Sequence, residues 1–454
     1  MIPVLAPGEM GAVDAAAPEP LDVLVARAGA AVARSAVALL GGTYGRRVVV
    51  VAGKGNNGAD GRRAADRLRR LGVRVRVLDA AGAPAVLPPC DLVVDAAYGT
   101  GFHGSYAAPR PGPGTPVLAV DIPSGVDGLT GAAGDGAVRA DVTVTFMALK
   151  PGLLLGAGPE HCGRVEVADI GLDVGGARMH LVEDADVAAR LPRRERESHK
   201  WRSAVLVVAG SPGMAGAALL AGRSALRAGA GYVRLALPGA DAARLPASEL
   251  VAGELPARDW ADAALAAGER FRALVVGPGL GRDGSTVEDV RRLLAGWPRP
   301  AVVDADGLTA VWPAAGSGAG PVSPPGATRV LTPHDGEYRR LCGERPGPDR
   351  VGAACSLAAR AGAVVLLKGS TTVVADPEGR VRFVTSGGPR LATAGTGDVL
   401  SGTVGAFLAA GLDGLDAASL GAHVHGAAAA LGPERGLVAG DVAELLPVWL
   451  SAHA

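Results

Sequence analysis

Aromatic side chains are scarce in this 454-residue chain, where Phe, Trp and Tyr together make up 3%. So small a supply argues against a surface that grips nucleic acid by stacking bases on rings. Net charge is missing too: 45 Lys and Arg balance 45 Asp and Glu, and the basic residues are scattered. No electrostatic footprint for nucleic acid or a membrane surface is expected. Cysteine is sparse. Cys90, Cys162, Cys342 and Cys355 form no CxxC pair and no zinc-type spacing, which points to a reduced, cytoplasmic protein. No apolar run is expected to reach the length of a membrane span, and the first residues carry Glu9 and Asp14 rather than a basic and then apolar leader. The sequence contains no GxxxxGK[ST], so any nucleotide is held by something other than a P-loop.

What the chain does have is length and alternation. Its 454 residues would fill two large α/β domains. The most informative stretch lies late, at Thr393-Ala394-Gly395-Thr396-Gly397-Asp398-Val399-Leu400-Ser401-Gly402. Small residues before a helix let backbone N–H groups approach an anion, and the helix N-terminus adds partial positive charge. Asp398 at that mouth is either a helix cap or a base beside an anion hole, placed where a hydroxyl loses its proton as it receives a phosphoryl group.

In the first half, residues 46–52 read as a buried strand, followed by Gly53-Lys54-Gly55-Asn56-Asn57-Gly58 and a second strand at 73–78 that ends at Asp79. Taken literally this is the GxGxxG dinucleotide fingerprint, and a nicotinamide-dependent dehydrogenase is one reading of it. The polar Asn56, Asn57 and Asp60 speak against a plain cofactor cradle, which needs small or apolar residues there. Strands at 91–96 and 116–121 end in Asp95 and in Asp121-Ile122-Pro123-Ser124. Ligands sit beyond the carboxyl ends of strands in an open parallel sheet, so Asn57, Asp95, Asp121 and Ser124 are expected on one rim. Their mixed oxygens suit a hard cation, and each is also a common turn-former.

The runs Leu24–Gly29, Gly55–Gly61, Val120–Asp127, Ala140–Phe146, Lys150–Leu153 and Asp169–Gly171 resemble the NAD(P)H-hydrate epimerase family over about residues 1–175. The resemblance implies a Rossmann-like domain, set at 1–180, that interconverts the R and S epimers of the hydrated cofactor. It implies substrate contacts from Asn56, Asn57, Gly58, Ala59 and Asp60, from the loop Gly99, Thr100, Gly101, Phe102, His103, Gly104 and Ser105, and from a catalytic Asp121. It also places Asn57, Asp95 and Ser124 on K+. Ala59 departs from the family's glycine and requires a negative φ, and Tyr98 stands where an aliphatic residue is commoner.

The mixed-charge run Leu191–Lys200 reads as a solvated connector, bounded at 181–203, or as a short substrate-contacting start to the next domain. From Ala204 onward, strands at 204–209, 232–237, 273–276, 301–303, 330–331 and 364–367 each run into a Gly-rich or polar loop and then into helical sequence. That alternation predicts a doubly wound α/β layer sandwich at 204–454 with its loops on one edge. His334 follows a strand directly and is a candidate ligand contact; Asp304 and Asp306 are turn-formers or part of a magnesium shell.

This half resembles the ADP/ATP-dependent NAD(P)H-hydrate dehydratases, a ribokinase-like branch. The resemblance is carried by Ser198–Lys200, Ala209–Ala217, Gly277–Gly281, Asp304–Leu308, Leu331–His334, Leu367–Thr372 and the Asp398 stretch. It implies that Ala217, Gly279, His334 and Asp398 face the hydrate. It further implies that Lys368, Gly369, Ser370, Thr371, Thr372, Gly395 and Gly397 hold ADP or ATP with Mg2+. Trp201 and Ser203 replace glycines and are expected to reshape the substrate's entry loop; Asp335 replaces a proline as a surface change. The expected activity is repair of hydrated NADH and NADPH by epimerisation and by dehydration through a phosphorylated intermediate. A homo-oligomer is expected. A small-molecule kinase fused to a dinucleotide-binding module, or a non-catalytic NAD-binding protein, are the competing classes.

Overall fold

The computed structural model describes residues 1–102, 104–311 and 326–454. The chain divides into two compact bodies, Ile2–Met179 and His180–Ala454 with Met1.

The first body contains β1 (Ile2–Val4), α1 (Pro7–Ala15), α2 (Leu21–Leu40), β2 (Arg47–Ala52), α3 (Asn56–Arg70), β3 (Arg74–Asp79), β4 (Leu92–Ala96), β5 (Val117–Val120), β6 (Val142–Phe146), α4 (Pro151–Leu154), α5 (Gly158–Cys162) and β7 (Arg164–Ala168). Six strands form one parallel sheet in the order β3-β2-β4-β5-β6-β7. The valine run of β2 explains its central place: Val48 and Val50 enter the core on one face while Val49 and Val51 enter that on the other. Strands buried on both faces favour such β-branched runs. The chain steps from β2 to β3 on one side and returns to β4 on the other, which makes the β2/β4 edge a topological switch point.

One expectation is corrected here. The 20-residue α2 has a mean hydropathy of 1.7 and is long and apolar enough, by length and composition, to cross a membrane. Its Leu24, Ala28, Val32, Ala36 and Leu40, spaced for one helical face, are buried in the core of this body.

The second body runs from β8 (Met179–Leu181) through α6 (Asp184–Arg190), β9 (Ala204–Val208), α7 (Ala215–Arg227), β10 (Tyr232–Pro238), β11 (Val251–Leu255), α8 (Ala261–Ala267), β12 (Ala273–Val276), α9 (Gly284–Gly296) and β13 (Ala301–Val303). It continues with β14 (Arg329–Leu331), α10 (Asp335–Cys342), α11 (Arg350–Ala361), β15 (Val364–Leu367), β16 (Thr372–Ala375), β17 (Val381–Val384), α12 (Thr396–Ala410), α13 (Gly414–Ala430) and α14 (Ala439–His453). In this body the sheet order is β8-β17-β16-β15-β14-β13-β12-β9-β10-β11, parallel from β11 to β15 and antiparallel across β15-β16-β17. Its switch point lies between β9 and β12. Helix α12 is buried on nearly every face, through Val399, Leu400, Val404 and Phe407 among others. A helix apolar all round belongs inside a core, and this packing fixes where its N-terminus emerges.

The segment before β9 lies away from the carboxyl edge. Trp201 sits at the amino end of β9 with its ring 4.7 Å from Tyr232 and 5.5 Å from Phe271, residues that open β10 and precede β12. Arg270 stacks over it at 4.0 Å. Residues 199–203 therefore pack at the edge opposite the loops that follow the strands, and Trp201 does not shape an entry loop there.

Candidate functional sites

A cavity of about 1000 Å3 opens at the β2/β4 switch. The loop after β2, the loop after β4, Asp79 to Ala81 and α1 residues Met10 and Asp14 all line it. Of the residues expected to touch substrate, Asn56, Asn57, Asp60, Gly99, Thr100, Gly101, Phe102 and Asp121 line this cavity. Gly58 and Ala59 lie in the first turn of α3 without lining it, Gly104 and Ser105 are exposed outside the lining, and His103 falls outside the described residues. Ala59 is helical and is not among the residues with positive φ, so the missing glycine causes no strain. Tyr98 joins the lining and packs its ring 4.5 Å from Phe102 and 5.0 Å from Tyr106, which gives the cavity an aromatic wall.

Asp121 is the most constrained residue of this site. Its φ is +66°, a conformation that non-glycine residues adopt rarely. Its N–H donates to Val144 O at 2.7 Å, and its Oδ1 accepts from Lys150 Nζ at 2.5 Å and Thr145 Oγ1 at 3.0 Å. Both side-chain bonds fall on Oδ1; a Cβ at Gly99 would stand 3.7 Å from Oδ2. Lys150 is buried and also donates to Thr145 Oγ1 and Phe146 O. Asp60 is pushed up to about 8, mainly by burial and then by Asp121 and Asp14. Burial likewise raises Asp14, with Asp121 adding to it and Lys150 opposing. Sequence reasoning assigned no role to Lys150 or Asp14. The signals for Lys150 were its place in the Lys150–Leu153 run that carries the family resemblance and its position at the head of an apolar run, and neither gave it a role.

The expected cation ligands sit at the carboxyl edge of this sheet. Asp95 is buried, accepts from Ser124 N at 2.8 Å, Ser124 Oγ at 2.7 Å and Ala97 N at 3.3 Å, and has no cationic partner among the described residues. Burial lifts it to about 6 despite those bonds. Asn57 has both amide atoms buried without a partner, against the backbone of Gly99. Buried polar atoms are nearly always satisfied, so an orphaned amide oxygen and a carboxylate without a cationic partner, both at the carboxyl edge of this sheet, fit a bound cation, while Ser124 Oγ already accepts from Tyr98 N at 2.9 Å and donates to Asp95 Oδ1.

In the second body the loops after β9 and β12 meet at the switch. Gly210 N donates to Pro278 O at 2.7 Å and Ser211 Oγ to Gly279 O at 2.9 Å. A Cβ at Gly279 would lie 3.1 Å from the Ala217 Cβ, so these two residues share one wall. Further along the edge, Gly395 turns the chain into α12 at φ +89°, and a Cβ there would collide with Leu220 at 2.6 Å. The first intrahelical bond is Val399 N to Gly395 O, which leaves the Gly397 and Asp398 N–H groups at the free mouth of the helix.

Facing that mouth is a buried charge network. Lys368 Nζ donates to Asp304 Oδ1 at 3.1 Å and lies 3.5 Å from Glu337 Oε2; Ser401 Oγ donates to Asp304 Oδ2 at 2.6 Å. A Cβ at Gly397 would be 3.6 Å from Lys368 Nζ. Burial works against the Lys368 ammonium, but Asp304 and Glu337 outweigh it and its pKa is raised. Burial also opposes the Asp304 carboxylate, yet Lys368 and Ser401 bring it below its usual range. Asp398 is lifted to about 7 by burial and by Asp304, against the pull of Lys368.

The remaining expectations divide. His334 caps α10: its Nδ1 accepts from Gly336 N at 2.9 Å and Glu337 N at 3.3 Å, while its ring is more than half exposed. Gly369 and Ser370 are exposed, Thr371 is buried and Thr372 is half-buried. Asp335 is more than a surface change, because Arg350 bonds it at 2.9 Å and also bonds Lys368 O at 2.8 Å. Asp306 accepts from Gly281 N and Arg282 Nε, so both it and Asp304 are satisfied by protein groups. No group of three His, Cys, Asp or Glu among the described residues could hold a metal, so the expected Mg2+ has no cage of protein ligands here. His425, fully buried on α13, is depressed to about 4 mainly by burial, interacts with the Thr396 backbone and leaves Nε2 unpartnered. Nothing in its local sequence distinguishes it from a core histidine.

Fold and sites define a two-domain α/β protein: a parallel-sheet domain with a dinucleotide-type cavity, and a layer sandwich with an anion hole. Comparisons with known proteins agree. Residues 205–447 match the NAD(P)H-hydrate dehydratase family, and residues 21–86 and 79–152 match the YjeF-related protein N-terminus. The bifunctional NAD(P)H-hydrate repair enzyme Nnr of Salinibacter ruber is 38% identical over 98% of this chain and 95% of its own length. The ADP/ATP-dependent NAD(P)H-hydrate dehydratase of Bacillus subtilis, co-crystallised with ATP and Mg2+, superposes with a TM-score of 0.52 at 30% identity, covering 60% of this chain and 98% of that one. A ribokinase-like superfamily protein of Enterococcus faecalis, 20% identical with a TM-score of 0.52 over 61% of this chain and 97% of that one, shares the fold. The chain belongs to the bifunctional NAD(P)H-hydrate repair enzyme family.

Proposed function

We propose that the chain repairs hydrated NADH and NADPH, with its first body epimerising the R and S hydrates and its second dehydrating the S hydrate at the expense of ADP or ATP. One observation carries the dehydratase half: a carboxyl poised near neutral pH stands in the first turn of a helix whose N–H groups face a half-buried lysine paired with a buried aspartate. Asp398 takes the proton of the C6 hydroxyl as that oxygen bonds to the terminal phosphorus and the nucleotide's P–O bond breaks. The Gly397 and Asp398 N–H groups and the Lys368 charge stabilise the transferring group. The phosphate ester then leaves, pushed by the ring nitrogen, and loss of a C5 proton restores the dihydropyridine. A positioned base supplies about 10²–10⁴-fold, and holding the reactants in line roughly 7–11 kcal/mol, so positioning dominates.

In the first body, the cavity's size and its lining by the glycine loop and Asp79 support a dinucleotide substrate. Asn57, Asp95 and Ser124 would hold K+, which would supply positive charge beside the substrate. Ala217 and Gly279 would line the hydrate site of the second body, and Lys368 to Thr372 would lie along the nucleotide.

The test is to incubate purified full-length protein with hydrated NADH and either ADP or ATP. Recovery of NADH absorbance, dependent on nucleotide and releasing phosphate, is the expected result. A stable phosphorylated product would identify a kinase instead, and no nucleotide consumption would overturn the dehydratase reading.

A further inference from the structure

Moving the C6 hydroxyl from one face of the ring to the other requires a group that takes a proton and a group that gives one. In a ring-opening route the hydroxyl loses its proton, C6=O forms, the C6–N1 bond breaks and N1 is protonated. Rotation and reversal return both protons on the opposite face. Departure of the hydroxyl as water makes the same demand, with the given proton going to oxygen and the taken one coming from the returning water. Asp121, held through Oδ1 with Oδ2 left over, fills one role.

The cavity contains a second candidate. Asp60 lines it, is 8% exposed, and accepts no hydrogen bond among the described residues. The charged groups around it are Asp14 on α1, Asp121 after β5, Lys150 before α4, Lys54 before α3 and Asp79 at the end of β3. Asp14 is exposed and Lys150 is committed to Asp121, so Asp60 is the buried carboxyl free to meet a ligand. Resting on the epimerase reading of this cavity, we propose that Asp60 is the proton donor that works opposite Asp121, and that Lys150 is the positioning residue that orients Asp121. The shift of Asp60 to about 8 agrees, since such a carboxyl still carries its proton at neutral pH.

The experiment follows R-to-S conversion chromatographically, with full-length protein and no nucleotide, across pH. Wild-type kcat/KM is expected to fall as pH rises through about 8, where the donor is lost. Asp60→Asn is expected to lose about 10²–10⁴-fold in epimerisation and the falling limb with it. Nucleotide-driven dehydration of the S hydrate by the same preparation should be unchanged, which shows that the variant is folded. Lys150→Met should keep the falling limb but lose most of its epimerisation kcat, because Asp121 is no longer held through Oδ1, and Lys150→Arg, which again places a cation there, should recover part of it. Epimerisation by Asp60→Asn within threefold of an active wild type overturns the donor assignment alone, and a Lys150→Met kcat within threefold of wild type, or no recovery in Lys150→Arg, overturns the positioning role. A wild type that does not epimerise at all overturns the epimerase reading and this assignment together.

Discussion

Both bodies start a helix at the carboxyl edge of a parallel sheet, behind a glycine-bearing loop, and both place an aspartate in its first turns: Asp60 in α3 and Asp398 in α12. Their neighbours separate them. Around Asp60, burial is reinforced by Asp121 and Asp14, and Lys150 spends its charge on Asp121, so the carboxyl reaches about 8. Around Asp398, burial and Asp304 act upward while Lys368 pulls down, and the carboxyl stops at about 7. Asp60 therefore has only like charges and burial holding its proton on, whereas Asp398 has a lysine that favours its carboxylate. Where the nearest lysine points is what suits the same local motif to giving a proton in one body and taking it in the other.

The comparison breaks hardest at Asp398. Asp398→Asn is expected to cut kcat for S-hydrate dehydration by about 10²–10⁴-fold with little change in KM, while epimerisation continues. Stopped-flow recovery of NADH absorbance measures it, and unchanged turnover would remove the base role. Next comes Lys368→Met, which strands Asp304 as a buried, uncompensated carboxylate and should cost roughly 3–5 kcal/mol in denaturant unfolding. It also withdraws the downward pull on Asp398, so the rising limb of any residual dehydration should move to higher pH.

A subtler contrast is thermodynamic. The folded pKa of Asp60 lies above the ordinary carboxyl value of 3.8, so between pH 3.8 and about 8 the unfolded chain is ionised while the folded one keeps the proton. Stability contributed by this group is therefore lost as pH rises through that window. Asp60→Asn should raise Tm relative to wild type by a margin that grows with pH and levels off above about 8, as calorimetry would show. The smallest effect concerns the cation. Potassium at ten times its Kd should stabilise the first body by about 1.4 kcal/mol over tetramethylammonium, and Asn57→Ala should abolish that difference in thermal melts.

Much of this was legible because it is contiguous. The glycine loops, the strand-end aspartates and the Asp398 stretch each declare themselves within a few residues, and strand-then-loop alternation is enough to bring strand ends to one edge. What stayed hidden depends on pairs far apart in the chain: Lys150 with Asp121, Lys368 with Asp304 and Glu337, and Arg350 linking Asp335 to the Lys368 carbonyl. Sequence spacing does not encode those meetings. Trp201 shows the opposite failure, since its neighbouring Ser198-His199-Lys200 run suggested a site while the fold puts that ring at the amino end of β9. His334 lies between these cases: the position after β14 was readable, but its capping of α10 appears only in three dimensions.

The most direct measurement is kcat/KM for nucleotide-driven dehydration of the S hydrate from about pH 5 to about pH 9, which reports groups of the free enzyme. Wild-type protein should show a rising limb centred near pH 7, as Asp398 becomes a carboxylate, and the residual rate of Asp398→Asn should lack it. A flat wild-type profile, or the same limb in the asparagine variant, would contradict a base at the mouth of the anion hole.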